Sequence, residues 1–261
     1  MRKSTRVAAA AAAIALAAPA ARALTFEVTA TAPSMVQTEG AFSAAPTTLA
    51  GGDAFLTGMV EVDLTATPDF ASPGFAGFLL AGSTALAGGF SNGGDGYVPE
   101  GSPGGISSAF LFLEDDTPIP AGFPFDTLTD FAGSPLEGRT FDAVAISKED
   151  FSTARGNRFV AVTAFLLYDS SLFDLSGGVP STLDLTNPLG AAIQVSEYEQ
   201  DPIDGSPLEP AFASALGAVP RESLFFTPVG APDAAVPLPA TLPLLAGALA
   251  LAGLRARRPA Q

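Results

Sequence analysis

Residues 59–67 read MVEVDLTAT, with Val60 and Val62 on one side of the alternation and Glu61 and Asp63 on the other. Side chains of an extended chain point alternately to opposite faces, so this period of two predicts a β-strand with one wet and one buried face. Working outward, similar segments occur at 25–30, 109–113, 141–146, 158–168, 191–198 and 223–227, separated by clusters of Gly, Pro, Ser and Asp. Strands at such intervals with turn residues between them are the pattern of an all-β sandwich. Residues 71–105 carry 11 Gly in 35 positions. Their first half suits strands in close backbone contact, whereas SNGGDGYVPEGSPGG reads as a long exposed loop. Helical expectations are confined to a turn or two at 148–154 and another near 210–216. The fold expected is all-β: a single antiparallel sandwich or jelly-roll-like ectodomain.

The composition agrees and excludes a good deal. The 261 residues include 27 Gly and 23 Pro, which leaves little room for long helices. Phe, at 20 residues, supplies most of the large apolar volume, because there is no Trp. Cys and His are absent. That removes disulfides, thiol nucleophiles, Cys/His zinc sites and Ser-His-Asp triads. All 27 acids lie between residues 24 and 235, against five bases there, Arg139, Lys148, Arg155, Arg158 and Arg221, for a net charge of −22. Such a body repels nucleic acid and anionic lipid.

The two ends carry targeting patterns. Arg2, Lys3 and Arg6 precede an apolar run at 7–18, Pro19 closes it, and Ala21-Arg22-Ala23 is a small-x-small cleavage site. This is the form of a secretory signal peptide over residues 1–23, with a mature chain starting at Leu24. It implies the Sec-type export machinery and signal peptidase as partners. At the other end, 241–254 reads TLPLLAGALALAGL and is followed by Arg255, Arg257 and Arg258 as a basic stop. Arginines after an apolar segment leave the tail in the cytoplasm. Fourteen helical residues reach only about 21 Å, short for a bilayer core of about 30 Å. Upstream stand Val236-Pro237-Leu238-Pro239-Ala240, whose prolines hold the chain extended.

This ordered set of motif, short transmembrane helix and terminal arginines (236–258) resembles the VPLPA variant of the PEP-CTERM sorting signal. The resemblance implies recognition by an integral-membrane exosortase of a Gram-negative bacterium and cleavage near the motif. It further implies an inner-membrane-tethered precursor that passes to the cell surface or to an exopolysaccharide matrix. The organisation expected is therefore a signal peptide at 1–23, a β-rich extracytoplasmic domain at 24–226, a Pro/Ala-rich spacer at 227–235 and the sorting segment at 236–258.

Catalytic chemistry finds no anchor in the body. Lys148 follows no Gly-rich run, Gly94-Asp95-Gly96 lacks the rest of a dinucleotide fingerprint, and Asp126-Thr127-Leu128 lacks the glycine of an aspartic-protease loop. No catalytic residue and no enzymatic activity are expected. Calcium is the one cofactor the residues suggest. Glu197, Glu199, Asp201, Asp204 and Glu209 place five carboxylates within 13 residues, with Gly205 for a turn. Glu114-Asp115-Asp116 form a second acidic run, and either run also suits a solvated surface. The function expected is an exosortase-sorted surface or matrix protein associated with the envelope or exopolysaccharide. The alternatives are a calcium- or polysaccharide-binding adhesin and a carboxylate-dependent glycan hydrolase. Mass spectrometry of protein from its native host tests the sorting expectation. The mature chain should begin at Leu24 and end within or close to Val236–Ala240, whereas an intact Gln261 terminus in the membrane fraction would mean an ordinary anchor.

Overall fold

The computed structural model describes residues 23–43, 46–80, 86–97, 107–152, 158–180, 183–199 and 211–228. Among these there is no α-helix, only strands and three short 3-10 turns. The strands are β1 (Ala23–Ala32), β2 (Val36–Glu39), β3 (Asp53–Asp63), β4 (Phe70–Ser72), β5 (Phe75–Leu79), β6 (Leu86–Asn92) and β7 (Asp95–Tyr97). They continue with β8 (Ser107–Pro118), β9 (Thr140–Ser152), β10 (Arg158–Tyr168), β11 (Gly190–Glu199), β12 (Ala213–Ala218) and β13 (Leu224–Pro228). A five-stranded sheet has the order β13-β1-β3-β6-β7, and an eight-stranded sheet has the order β2-β12-β11-β10-β9-β8-β5-β4. Every strand pair in both sheets is antiparallel. The expected all-β architecture is present. Strands β8 to β12 lie side by side in chain order, which is an up-and-down meander rather than the Greek-key exchange of a jelly roll.

The alternation read from the sequence explains the core. Phe26, Val28 and Ala30 of β1, Leu56, Val60 and Val62 of β3, and Leu86 and Phe90 of β6 are buried from the five-stranded side. Leu111, Leu113, Val144, Ile146, Val160, Val162, Leu166, Ile193 and Val195 complete the same cluster from the other sheet. Close approach of the sheets requires glycine at particular points. A Cβ on Gly88 of β6 would lie 3.1 Å from the Val162 Cβ of β10.

Three expectations are corrected. Residues 148–152 continue β9 instead of turning into helix, paired to β10 through Arg158↔Ser152 and Val162↔Lys148. Their period of two is masked because polar residues fill both faces: Lys148 and Asp150 point with Ile146, and Ser147 and Glu149 point away. Residues 213–218 form β12, where the buried alanines and glycine fit between β11 and β2. Within the expected exposed loop, Asn92 and Asp95 close a tight β6–β7 hairpin. Its two turn residues, Gly93 and Gly94, have φ of 62° and 94°, as a type I′ turn requires. The rest of that stretch, 98–105, lies outside the described residues.

Gly217 shows what the packing of β12 demands. A Cβ there would stand 2.5 Å from the Met35 sulfur and 2.8 Å from the Ser34 carbonyl oxygen. Gly217→Ala should therefore destabilise the domain by about 1–3 kcal/mol through overpacking. Gly177→Ala, where a Cβ meets nothing within 4 Å, should stay within about 0.5 kcal/mol of the parent. Urea unfolding of the two variants makes the comparison, and equal stability of both would contradict the packing described.

Candidate functional site

The outer face of the eight-stranded sheet is where side chains of different chemistry converge. Register brings them into rows across the strands. One row runs Phe110, Ser147, Thr163, Gln194, Leu216 over β8 to β12. The next runs Phe112, Ala145, Phe165, Ala192, Ala218, and on the other side lies Ser108, Glu149, Ala161, Ser196, Ser214. In the middle strands these rows carry small residues, so the surface sinks there. Phe75, Phe112, Glu114, Ala145, Ser147, Glu149, Ala161, Thr163, Phe165, Gln194, Ser196 and Tyr198 bound a cavity of about 260 Å³. Gln194 and Tyr198 also line a neighbouring cavity of about 370 Å³, which extends to Glu39, Phe123, Phe125 and Ser214. The two share a wall and form one groove.

The floor of the groove holds two hydrogen-bonded groups of hydroxyls and an amide. The Thr163 hydroxyl donates to Ser147 Oγ at 3.0 Å. Gln194 Nε2 donates to Ser196 Oγ at 3.1 Å and to Ser214 Oγ at 3.3 Å. Each hydroxyl has two acceptor lone pairs and one donor, so the floor retains capacity toward a bound molecule.

One wall is aromatic. Phe75 stacks on Phe112 with centroids 5.5 Å apart, Phe112 lies nearly parallel to Phe110 at 5.6 Å, and Phe110 meets Phe70 at 6.0 Å. Gly77 of β5 leaves room for these rings, since a Cβ there would come within 2.9 Å of Phe112. Four of the 20 phenylalanines, Phe70, Phe75, Phe110 and Phe112, thus build this wall, while Phe26, Phe42, Phe78, Phe90, Phe141 and Phe173 are buried. The opposite wall comes from the loop between β8 and β9. Asp130 braces that loop by accepting from Ser134 N–H at 2.8 Å and from Arg139 Nη1 at 2.7 Å. The loop's apolar side, Leu128 and Leu136, packs on Phe141, Ala143, Leu167 and Ala192 of the sheet. That leaves Phe123, 62% exposed, at the rim.

Three glutamates line the groove: Glu39 is exposed in the larger cavity, and Glu114 and Glu149 are partly buried in the smaller one. Burial pushes Glu149 from an ordinary 4.5 up to about 6, partly opposed by the Ser147 hydroxyl. Burial also raises Glu114, against a hydrogen bond from Thr117. Glu114 pairs with Ala143 and Glu149 with Ser108, so six residues of β9 separate them. That offset is about 20 Å along the strands, whereas the two carboxyls of a glycoside-cleaving pair stand roughly 5–10 Å apart.

The acidic runs noted in the sequence have other surroundings. Glu197 is buried on the inner face, where one carboxylate oxygen accepts from the Ser43 N–H at 2.7 Å and the other from the Ser43 hydroxyl. Arg158 pairs with Glu199 at 3.4 Å. Asp201, Asp204 and Glu209 lie outside the described residues, as do Ala21, the sorting motif at 236–240 and Arg255, Arg257 and Arg258. Ala23 and Leu24 begin β1. No helix of the described residues is long and apolar enough to cross a membrane. From the run at 114–116, Asp115 and Asp116 sit at a bulge of β8 and converge on Asp142 of β9, with ligand atoms within 4.8 Å of one another. Sequence reading missed Asp142, which is distant in the chain and follows a single apolar residue. Its carboxylate accepts from Phe173 N–H at 2.9 Å and Asp116 N–H at 3.2 Å, and Asp115 accepts from Leu175 N–H at 2.8 Å. The triad thus ties the segment after β10 to the sheet. Inside the sandwich, the Tyr97 hydroxyl donates to Asp150 at 2.8 Å, near the buried Lys148. Desolvation lowers the Lys148 pKa and Asp150 opposes that.

Comparison with family models, with curated proteins and with solved structures finds no match in any of the three. The groove is therefore read on its own chemistry.

Glu149 gives a test of its geometry. The folded domain holds this proton more tightly than the unfolded chain, so its stabilising share is full below about pH 4.5 and is lost as pH rises through about 6. Glu149→Gln removes the ionisation. Relative to the parent, the variant should gain up to about 2 kcal/mol between pH 4.5 and pH 7.5, at about 1.4 kcal/mol per pKa unit. Urea titrations at both pH values measure this, and an unchanged difference would place Glu149 in open solvent.

Proposed function

We propose that this chain is an exported, non-catalytic surface or matrix protein whose sandwich binds polysaccharide along the outer-face groove. The observation that carries the reading is the pairing of an aromatic wall with a hydroxyl and amide floor in one groove. A sugar ring has an apolar C–H face and an equatorial belt of hydroxyls. The first packs on an aromatic plane, and the second exchanges hydrogen bonds with Ser, Thr, Gln and Glu side chains. The 20 Å offset estimated for Glu114 and Glu149 from strand rise favours binding over hydrolysis. Export rests on the signal pattern at 1–23. Sorting rests on Val236–Ala240, the apolar segment after it and the terminal arginines, with signal peptidase and an exosortase as the processing partners. In this reading the groove attaches the released domain to exopolysaccharide outside a Gram-negative cell.

Affinity electrophoresis and calorimetry of the mature protein with host exopolysaccharide and a glycan panel provide the test. Phe112→Ala, which removes the central ring of the stack, and Ala161→Phe, which fills the floor, should each weaken binding at least tenfold, about 1.4 kcal/mol. Phe225→Ala, an exposed position on the other sheet, should leave it unchanged. Circular dichroism and melting curves confirm that the variants stay folded. A folded Phe112→Ala protein that binds as the parent does would remove the groove from the reading.

A further inference from the structure

We infer that the groove is selective by charge: it takes an uncharged polysaccharide chain and rejects one that carries carboxylates. This deepens the polysaccharide-binding reading and rests on it. Glu149 and Glu114 stand toward opposite ends of the cavity on β8 to β11, and Glu39 lines the cavity that adjoins it. Among the described residues lining the two cavities there is no Lys or Arg. A chain lying along the strands therefore meets a carboxylate near each end and no compensating cation between them.

The surroundings make these carboxylates effective. Both are partly removed from water beside Phe75, Phe112 and the small residues of the floor, where charge interacts more strongly than at an open surface. A hydroxyl of an uncharged sugar donates to either carboxylate and returns part of the hydration lost on burial. A uronate carboxylate can only accept, so where it faces one of these acids it adds like-charge repulsion and offers no donor in place of the hydroxyl it replaces. The uncharged Ser147, Thr163, Gln194, Ser196 and Ser214 accept or donate without regard to charge. Glu39 is exposed and its charge is better screened by water, so discrimination falls chiefly to Glu114 and Glu149.

The experiment compares a neutral glucan oligosaccharide with an oligogalacturonate of equal length by calorimetry on the mature protein. It is run at 0.15 M and 0.5 M salt, because the net charge of the body also repels anions at long range and salt screens that part. The neutral chain should bind at least 100-fold more tightly than the uronate at both salt concentrations. The double variant Glu114→Gln, Glu149→Gln should bring the uronate to within about tenfold of the neutral chain at 0.5 M salt. Uronate binding equal to that of the neutral chain in the parent protein, abolished by Ala161→Phe, would overturn the selectivity while leaving the groove as the binding site. Continued exclusion of the uronate by the folded double variant at 0.5 M salt would also overturn it, since the two carboxylates would not be the cause. Binding of neither chain, nor of host exopolysaccharide, would overturn the selectivity and the polysaccharide reading together.

Discussion

The small side chains at the centre of the eight-stranded sheet are the constraint on which the rest of the molecule turns. On its inner face the middle strands meet the five-stranded sheet through Val, Ile and Leu, with one shared core. On the outer face the same strands carry Ala145, Ser147, Ala161, Thr163, Ser196 and Ser214. Large apolar residues there would have called for a further covering layer, and uniformly charged ones would have made an ordinary wet face. Small and weakly polar residues make neither. They lower the surface, and the bulky Phe75, Phe112, Phe165 and Tyr198 beside them become walls. The groove is thus a product of strand composition and needs no loop to define its floor.

The same principle explains where charge is tolerated inside. Asp142 is fully buried and Glu197 nearly so, and each carboxylate is held by main-chain N–H groups from another segment: Phe173 and Asp116 for Asp142, Ser43 for Glu197. Burying a carboxylate without such donors is strongly unfavourable. With them, the acid becomes a clamp that fixes a loop to the sheet. Two of the acids that the sequence offered to calcium, Asp115 and Glu197, therefore hold main-chain N–H groups, as does Asp142, which the sequence did not single out. The net charge says little about which of these acids face solvent.

How much was legible follows from the range of the interactions. Residues 59–63 alternate between one apolar and one polar face, and 158–168 form a run of β-branched and other apolar residues bounded by turn residues; both signals are local, and both segments form strands as read. Residues 148–152 place Lys148 and Asp150 on the core side, which erases the alternation, and only pairing with β10 reveals the strand. Residues 213–218 are alanine-rich and carry no strong preference of their own; β11 and β2 impose the extended form. The groove draws on β2, β5 and β8 to β12, and its hydroxyls become a floor only once register is set. Phenylalanine shows the same limit. Its apolarity points to burial, but the direction of each ring depends on its parity within a strand, and Phe75, Phe110 and Phe112 share the outward parity.

Register also bears on the proposed processing. β1 lies between β13 and β3, and Phe26 is opposite Pro228. The strands are antiparallel, so the start of β1 and the end of β13 lie at the same end of the five-stranded sheet. The proposed cleavage after Ala23 and the chain leading to Val236 therefore depart from neighbouring points. Ala23 is itself paired opposite Asp63, and a peptidase needs its substrate extended and unpaired. Under the proposed processing, cleavage after Ala23 would therefore come before β1 is paired up to its first residue. On the C-terminal side, seven residues separate Pro228 from Val236, a length of chain that reaches at most about 25 Å. Under the proposed sorting, cleavage at Val236–Ala240 would not require any strand of the sheet to open, since β13 ends at Pro228.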